Sequence, residues 1–229
     1  MEFSNVYENI KRAESYSKLQ FPGTYYLAYR DIPELLSKYV KGRKAIDFGC
    51  GTGRSTRFLK KYRFDTIGID ISEEMMKKAK EIDPDEDYRL IKNNNIEQFE
   101  KNYFDLVFSG FTFDNVPNAE NRIQILKGLG SLINDNGKII LLESTPEIYI
   151  NEWLSFSTKD FLENRNAKSG DKVKIIMTDV EDSSPVEDII WFDYDYQELF
   201  SKSGMQLIEF RKPLAKTEEH GKLAVGPCY

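Results

Sequence analysis

The chain of 229 residues has little with which to build a metal centre, a disulfide framework or a histidine-based active site. It holds two cysteines, Cys50 and Cys228, and a single histidine, His220. Two thiols so far apart in sequence, with no CxxC pair, argue against a structural zinc site. We therefore predict a protein without a bound metal, in the cytoplasm, whose chemistry does not depend on a histidine base.

The sequence also lacks long apolar runs and an excess of positive charge. No segment approaches 18 uninterrupted apolar residues, and the first 20 residues are too polar for a secretory signal. Lysine and arginine number 32 against 38 acidic residues, which gives a net charge of −6. These absences predict no membrane span and no nucleic acid partner, because nucleic acid binding normally requires a basic face.

What the sequence does contain is an alternation of short apolar runs with amphipathic segments. Helices are predicted between the first strands, and strands that alternate with helices at this spacing form βαβ crossovers. We predict an α/β, Rossmann-like, doubly wound, mostly parallel sheet of seven strands. The predicted strands of this sheet are 44–48, 66–69, 88–91, 104–109, 138–143, 205–210 and 223–229.

The predicted organisation is a single domain over 1–229. Residues 1–40 form a helical N-terminal cap with a helix at 5–19, and 41–145 form the cofactor-binding core. An insertion at 146–192 follows the fifth strand, with a helical stretch over 146–170. The C-terminal part of the core, 193–229, opens with a helix that Asp193 caps.

The segment that carries the functional signal runs from a strand through a glycine loop into a helix. Asp47 precedes three alternating glycines, Gly49, Gly51 and Gly53. Glycines allow sharp turns and close approach of a ligand, and the following helix directs N–H groups at it. A dinucleotide fingerprint has the spacing GxGxxG, whereas this loop has GxGxG.

This D-F-G-C-G-T-G segment resembles the first motif of the class I S-adenosylmethionine-dependent methyltransferases, in their small-molecule branch. The segments IGIDIS at 67–72, YFDLVF at 103–108 and NGKII at 136–140 resemble the family's second, fourth and fifth strands. The resemblance implies S-adenosylmethionine as the cofactor. It also implies methyl transfer to an oxygen or nitrogen of a small molecule by in-line displacement.

The resemblance further implies roles for individual residues. Asp47 would anchor the cofactor's ammonium group, or brace the loop, or both, while the three glycines would allow its close approach. Asp70 would accept the ribose hydroxyls and Ile71 would lie against adenine. The family's adenine-binding aspartate is replaced by a run of asparagines at 93–95, from which we select Asn95 with Ile96, leaving open which asparagine reaches the ring. Ser109 and Gly110 end the fourth strand at the ligand crevice.

The sequence does not identify the acceptor or a catalytic residue. Tyr25 and Trp191 are candidates for an aromatic lid over the acceptor. Asp114 could orient the acceptor or take its proton, although a solvated helix cap is the simpler interpretation of that aspartate. Two alternatives remain open: a nicotinamide-dependent oxidoreductase, and a non-catalytic protein of the same fold that binds the cofactor or a partner. The oligomeric state is not predicted.

Overall fold

The computed structural model describes residue 14 and residues 25–92, 95–180 and 183–222. The helix predicted at 5–19, apart from residue 14, and the strand predicted at 223–229 lie outside the described residues, as do Asn93 and Asn94. Among the described residues, no helix is both long enough and apolar enough to cross a membrane. The chain divides into two compact units, which are described separately.

The first unit contains residues 35–112 and 128–142 of the described chain and is built on a parallel sheet. Its five strands lie in the order β3-β2-β1-β4-β5, and every neighbouring pair is parallel. The chain moves outward from β1 to β3 and then returns to the other side of β1, so the strand order reverses between β1 and β4. The strands are β1 Lys44–Phe48, β2 Asp65–Asp70, β3 Asp87–Leu90, β4 Phe104–Gly110 and β5 Ile133–Leu142.

Six α-helices lie in the described residues from 25 onward: α1 Tyr26–Arg30, α2 Ile32–Tyr39, α3 Arg54–Lys61, α4 Glu73–Ile82, α5 Ala119–Leu132 and α6 Asp193–Lys202. Local chemistry explains where α4 begins, because the Ser72 hydroxyl accepts a hydrogen bond from the Met75 N–H at 3.3 Å. Glu73 and Glu74 follow in the first turn, where the positive end of the helix dipole favours anions. The N-cap of α6 is Phe192, so Asp193 is the first residue of that helix rather than its predicted cap.

The burial of the strands in the core of the first unit explains why the sequence predicts most of them correctly. Ala45, Ile46, Leu106, Val107 and Phe108 are inaccessible to solvent. Parallel strands covered on both faces appear as continuous apolar runs, and four of the five strands match the predicted ranges within two residues. The exception is β5, which begins at Ile133 and takes in the predicted turn at 134–137, with a register irregularity opposite Phe104 and Leu106.

The second unit contains residues 25–34, 113–127 and 143–222 of the described chain. It holds an antiparallel sheet of three strands: β6 Phe156–Ser157, β7 Lys172–Met177 and β8 Val186–Ile189. The predicted helical stretch at 146–170 is instead two 3-10 turns, Pro146–Tyr149 and Leu162–Asn166, on either side of β6. In this segment the Asn164 side-chain amide donates hydrogen bonds to the backbone carbonyls of Tyr149 and Lys174, in place of the regular backbone hydrogen bonds of an α-helix.

The expectation of seven strands in one sheet is wrong for the described residues, where the parallel sheet has five. Residues 205–210, predicted as a strand, form no ladder. Leu207, Ile208 and Phe210 are all exposed, so neither face of this segment is buried. Apolar composition favoured a strand, but a strand also needs a partner for its backbone groups.

Candidate cofactor and acceptor sites

The glycine loop after β1 adopts the left-handed backbone that its sequence predicts. Gly49, Gly51 and Gly53 have φ angles of 70°, 54° and 82°. A Cβ at Gly49 would collide with the Thr112 side chain, and one at Gly53 would collide with the Tyr88 hydroxyl. A Cβ at Gly51 would meet no protein atom within 4 Å. Two of the glycines therefore permit packing inside the protein, and Gly51 alone of the three borders open space.

Asp47 is fully buried at the end of β1 and is held by side chains of α3. Its Oδ2 accepts hydrogen bonds from the hydroxyls of Ser55 and Thr56, both at 2.6 Å. Its Oδ1 is also buried, and no donor reaches it in the part of the chain that the structure describes. Loss of hydration on burial raises the pKa of Asp47 from 3.8 to about 6. The carboxyl group thus braces α3 through one oxygen and leaves the other free.

Asp70 ends β2 and is held by two backbone N–H groups. Its Oδ2 accepts from Gly51 and its Oδ1 accepts from Ser72, both at 2.9 Å. Burial raises the pKa of Asp70, while these two hydrogen bonds act in the opposite direction. Each carboxylate oxygen has a further lone pair, so the group still has capacity to accept from two ribose hydroxyls. Ile71, the next residue, is partly buried.

The end of β4 is tied to the glycine loop by a residue that the sequence did not single out. Thr112 donates from its hydroxyl to the carbonyl of Phe48 at 3.1 Å. Phe111 has a φ of 62°, a left-handed conformation that non-glycine residues rarely adopt. Ser109 is inaccessible to solvent, and its hydroxyl has no partner among the described residues. Gly110 is partly buried at the last position of the strand.

The residues selected for adenine lie in a turn after β3. Asn95 is exposed, and its Oδ1 accepts from the backbone N–H of Glu97 at 3.0 Å, as in an Asx turn. Ile96 is partly buried and approaches Gly128 of α5, where an added Cβ would lie 2.7 Å from its Cδ1 atom. The Asn95 carbonyl therefore stabilises its own loop in addition to any role in binding.

Three observations in the first unit fit S-adenosylmethionine. The buried Asp47 Oδ1 lacks a donor, which an ammonium group would supply. The buried Ser109 hydroxyl also lacks a partner, and Gly51 borders open space. Buried polar atoms in native proteins normally have a hydrogen-bond partner. A bound polar ligand would supply the partners that these two atoms lack.

In the second unit, the three candidates for the acceptor lie in different surroundings. Asp114 is 5% exposed, and both of its oxygens accept from the Ser144 N–H at 3.2 Å, so it is buried rather than a solvated cap. Trp191 is 9% exposed, and its Nε1 has no acceptor among the described residues. Tyr25 is partly buried directly before α1, and its carbonyl accepts from the Tyr29 N–H.

Asp114 and Trp191 belong to a set of buried and partly buried polar side chains, here called the Arg122 cluster, which comprises Asp114, Arg122, Glu143, Trp191 and Tyr196. Arg122 is inaccessible to solvent and donates to the carbonyls of Phe113 and Val116. Its Nη1 donates to the Tyr196 hydroxyl at 3.1 Å, and that hydroxyl donates to Glu143 Oε2 at 3.2 Å. The Arg122 guanidinium lies 4.6 Å from the centre of the Trp191 ring.

Sequence reasoning missed Ser55, Thr56, Thr112 and most of the Arg122 cluster. Ser55 and Thr56 had a detectable signal, because hydroxyl residues in the first turn after a glycine loop can reach back to the preceding strand. Glu143 was placed only as the last residue of a predicted strand. Arg122 and Tyr196 are 74 positions apart, and no spacing rule connects them.

Comparisons with known proteins agree with this arrangement. A family model described as "Methyltransferase domain" matches residues 46–141. A demethylmenaquinone methyltransferase from Staphylococcus aureus (strain MRSA252) is 36% identical over 110 residues, which are 46% of this chain and 44% of that protein. The chain is thus matched to less than half the length of this curated relative.

Solved structures share the fold at low sequence identity. DesVI of Streptomyces venezuelae has a TM-score of 0.63 at 18% identity, and the match covers 86% of this chain and 91% of that one. Phosphoethanolamine N-methyltransferase 1 of Haemonchus contortus, solved with phosphoethanolamine and S-adenosylhomocysteine, has a TM-score of 0.50 at 20% identity. That match covers 63% of this chain and 32% of that one.

The parallel sheet, the reversal of strand order between β1 and β4, and the glycine loop at β1 define a Rossmann-like fold. Residues 46–141 match the methyltransferase-domain family model, which agrees with the resemblance to the class I S-adenosylmethionine-dependent methyltransferases. The cofactor of this domain type is S-adenosylmethionine.

Proposed function

We propose that the protein transfers a methyl group from S-adenosylmethionine to an oxygen or nitrogen atom of a small molecule. When bound, the cofactor would supply a methyl group carried on a sulfonium. The acceptor would attack the methyl carbon in line with the carbon–sulfur bond, and the thioether would leave. Asp47 Oδ1 binds the ammonium group, Asp70 accepts from the ribose hydroxyls, and Ile71 and Ile96 pack against adenine, with Asn95 near its amino group. The observation that carries the proposal is the open space at Gly51 within the matched domain.

The protein's own contribution to the reaction is positioning and exclusion of water. A sulfonium is an activated leaving group, so no metal Lewis acid is needed. The Gly49–Thr112 contact holds the loop after β1 against the end of β4, and the hydroxyls of Ser55 and Thr56 fix the Asp47 carboxyl group. These contacts hold the glycine loop and the Asp47 carboxyl group in position in the absence of the cofactor.

A small metabolite is a better acceptor than nucleic acid for a chain with a net charge of −6. The printed name of the Staphylococcus aureus relative states that it acts on demethylmenaquinone. Because the match covers 46% of this chain, we carry over methyl transfer and not that acceptor. Two widely separated cysteines support a reducing compartment such as the cytoplasm.

Calorimetry with S-adenosylmethionine, S-adenosylhomocysteine and NAD tests this function. We expect the first two to bind and NAD not to bind. Transfer of label from methyl-labelled S-adenosylmethionine to a panel of small phenols, alcohols and amines then tests catalysis. Binding of NAD alone would favour the oxidoreductase alternative, and cofactor binding with no transfer to any small molecule would favour a non-catalytic protein.

A further inference from the structure

Gly128 lies in the part of helix α5 that belongs to the first unit, and the helix itself gives no reason for a glycine there. A glycine inside a helix is less favourable than an alanine, because it loses more backbone freedom on folding. Gly128 is not among the glycines with a positive φ angle, so its backbone conformation does not require the missing side chain. The reason must therefore lie in what packs beside it.

The neighbour of Gly128 is the side chain of Ile96. A Cβ added at Gly128 would lie 2.7 Å from the Cδ1 atom of Ile96 and 3.5 Å from its Cγ1 atom. The first distance is too short for two carbon atoms, whereas the second is an ordinary van der Waals contact. The absence of a side chain at Gly128 thus allows Ile96 to lie directly on the helix.

The segment that carries Ile96 begins beside the proposed ribose site. Leu90, the last residue of β3, is opposite Asp70 in the parallel register, and the Ile91 N–H donates to the Asp70 backbone carbonyl at 2.8 Å. Ligands of open α/β sheets bind outside the carboxyl ends of the strands. The turn that contains Ile96 therefore starts at the edge of the sheet where the cofactor is proposed to bind.

Backbone hydrogen bonds hold this segment against helix α5. The Phe99 N–H donates to the Ile96 carbonyl at 3.1 Å, which closes the turn. A few residues further on, the Asn102 N–H donates to the carbonyl of Ser131 near the end of the helix at 3.0 Å. The segment is thus attached to α5 at two places, by this hydrogen bond and by the contact of Ile96 with Gly128.

We propose that Gly128 is a positioning residue for the adenine ring of the cofactor and acts through Ile96. This inference rests on the proposed function, in which Ile96 packs against adenine. One side of Ile96 lies on the helix, and the rest of this partly buried side chain forms a wall for the base. A side chain at Gly128 would push Ile96 away from the helix and narrow the space for adenine.

The proposal predicts opposite effects of Gly128→Ala on stability and on binding. Alanine favours the helix, and the atom that meets its Cβ is the end of a flexible side chain, so the variant should fold and its melting temperature should not decrease. Its affinity for S-adenosylhomocysteine should nevertheless decrease about tenfold, the effect of one misplaced methylene in an apolar pocket. Calorimetry measures the affinity, and thermal unfolding without ligand measures the stability.

Ile96→Val is the matched second variant, because valine lacks the Cδ1 atom that meets the added Cβ. In the double variant Gly128→Ala/Ile96→Val the remaining contact would be the ordinary one at 3.5 Å. We expect Ile96→Val alone to lose about threefold in affinity, and the double variant to lose no more than that. The effects of the two substitutions on binding would then be clearly non-additive.

A second ligand and a second glycine show where the effect arises. Methylthioadenosine keeps the adenine and ribose of the cofactor but lacks its amino acid group, so Gly128→Ala should weaken its binding by the same factor as that of S-adenosylhomocysteine. Gly130→Ala removes another glycine of α5. Its S-adenosylhomocysteine affinity should equal that of the wild-type protein, whatever its melting temperature.

Unchanged S-adenosylhomocysteine affinity in Gly128→Ala, or a double variant that binds no better than Gly128→Ala, would overturn the inference. An equal loss in Gly130→Ala would also overturn it, because the effect would then belong to the helix in general. A loss for S-adenosylhomocysteine without a loss for methylthioadenosine would place the effect away from adenine and have the same consequence. A wild-type protein that does not bind S-adenosylhomocysteine would contradict the proposed function itself, and the inference with it.

Discussion

The two units of the chain bury charge in opposite ways. In the first, neutral donors hold the carboxyl groups of Asp47 and Asp70: two hydroxyls for Asp47 and two backbone N–H groups for Asp70. In the second, the buried Arg122 lies near the carboxyl groups of Asp114 and Glu143, and its charge lowers the pKa of both. The first arrangement leaves negative charge for a cationic, hydroxyl-rich ligand, whereas the second places a positive charge of the protein itself beside the carboxyl groups.

The comparison predicts that changes in the first unit remove cofactor binding and that changes in the Arg122 cluster do not. The largest effect is expected for Gly51→Val, which should abolish S-adenosylmethionine binding in calorimetry. The added side chain would fill the open space at this position, and Gly51 has a φ of 54°, so some backbone strain accompanies it.

Gly204→Val is the matched control for that strain. Gly204 has a φ of 74°, and a Cβ there also meets no atom within 4 Å. We expect both variants to lose a similar amount of thermal stability, and only Gly51→Val to lose cofactor binding. Normal binding by Gly51→Val would show that the glycine loop is not the site.

The next largest effect is expected in the second unit, on stability rather than on binding. Arg122→Met keeps an apolar chain of similar length but removes the positive charge that lowers the pKa of the nearby Asp114 and Glu143 carboxyl groups. Removal of one partner from a buried charged group destabilises a protein by about 3–5 kcal/mol. Denaturant unfolding measures this loss, and S-adenosylhomocysteine affinity, measured well below the melting temperature, should stay within about twofold.

If Arg122→Met reduced the free energy of cofactor binding as much as the free energy of unfolding, the two units would not differ in the way proposed here. Lys127→Met serves as the control for the loss of a positive charge on α5, because Lys127 is exposed on the same helix. Its free energy of unfolding should change by less than about 0.5 kcal/mol.

The contrast between the units also explains how much the sequence could predict. Buried parallel strands appear as apolar runs, and the glycine loop needs a local motif, so β1–β4 and the positions of Asp47, Gly51 and Asp70 follow from neighbouring residues. The Arg122 cluster depends on the Arg122–Tyr196 and Tyr196–Glu143 contacts between distant residues. Local patterns do not encode such contacts, and the same limit applies to 205–210, whose composition suits a strand but whose backbone has no partner.

A smaller effect on the cofactor site is expected for Asp70→Asn. The variant keeps one carbonyl acceptor but loses the charge that strengthens hydrogen bonds from the ribose hydroxyls, each worth about 1.5–3 kcal/mol when the acceptor is ionised. We expect at least a tenfold loss of S-adenosylmethionine affinity in calorimetry. Because Asp70 also holds the N–H groups of Gly51 and Ser72, the melting temperature without ligand should fall as well.

Asp65→Asn provides the reference for this change, since Asp65 is exposed at the opposite end of β2. Its cofactor affinity should equal that of the wild-type protein. An unchanged dissociation constant for Asp70→Asn would contradict the ribose assignment, whatever happens to the melting temperature.

The smallest expected effect is the pH dependence that Asp47 gives to cofactor binding. The pKa of its carboxyl group is about 6 in the folded protein against an ordinary 3.8, so the folded state holds more protons than the unfolded state between these values. The contribution of Asp47 to the free energy of unfolding therefore falls as pH rises across this window. An ammonium group binds the ionised carboxylate more strongly than the neutral acid, so cofactor affinity should rise as pH passes through about 6, by about fivefold. Calorimetry on either side of pH 6 measures this rise, and Asp47→Asn should flatten it. Equal slopes in the wild-type protein and the variant would assign the pH dependence to another group and leave Asp47 with only its role of bracing Ser55 and Thr56.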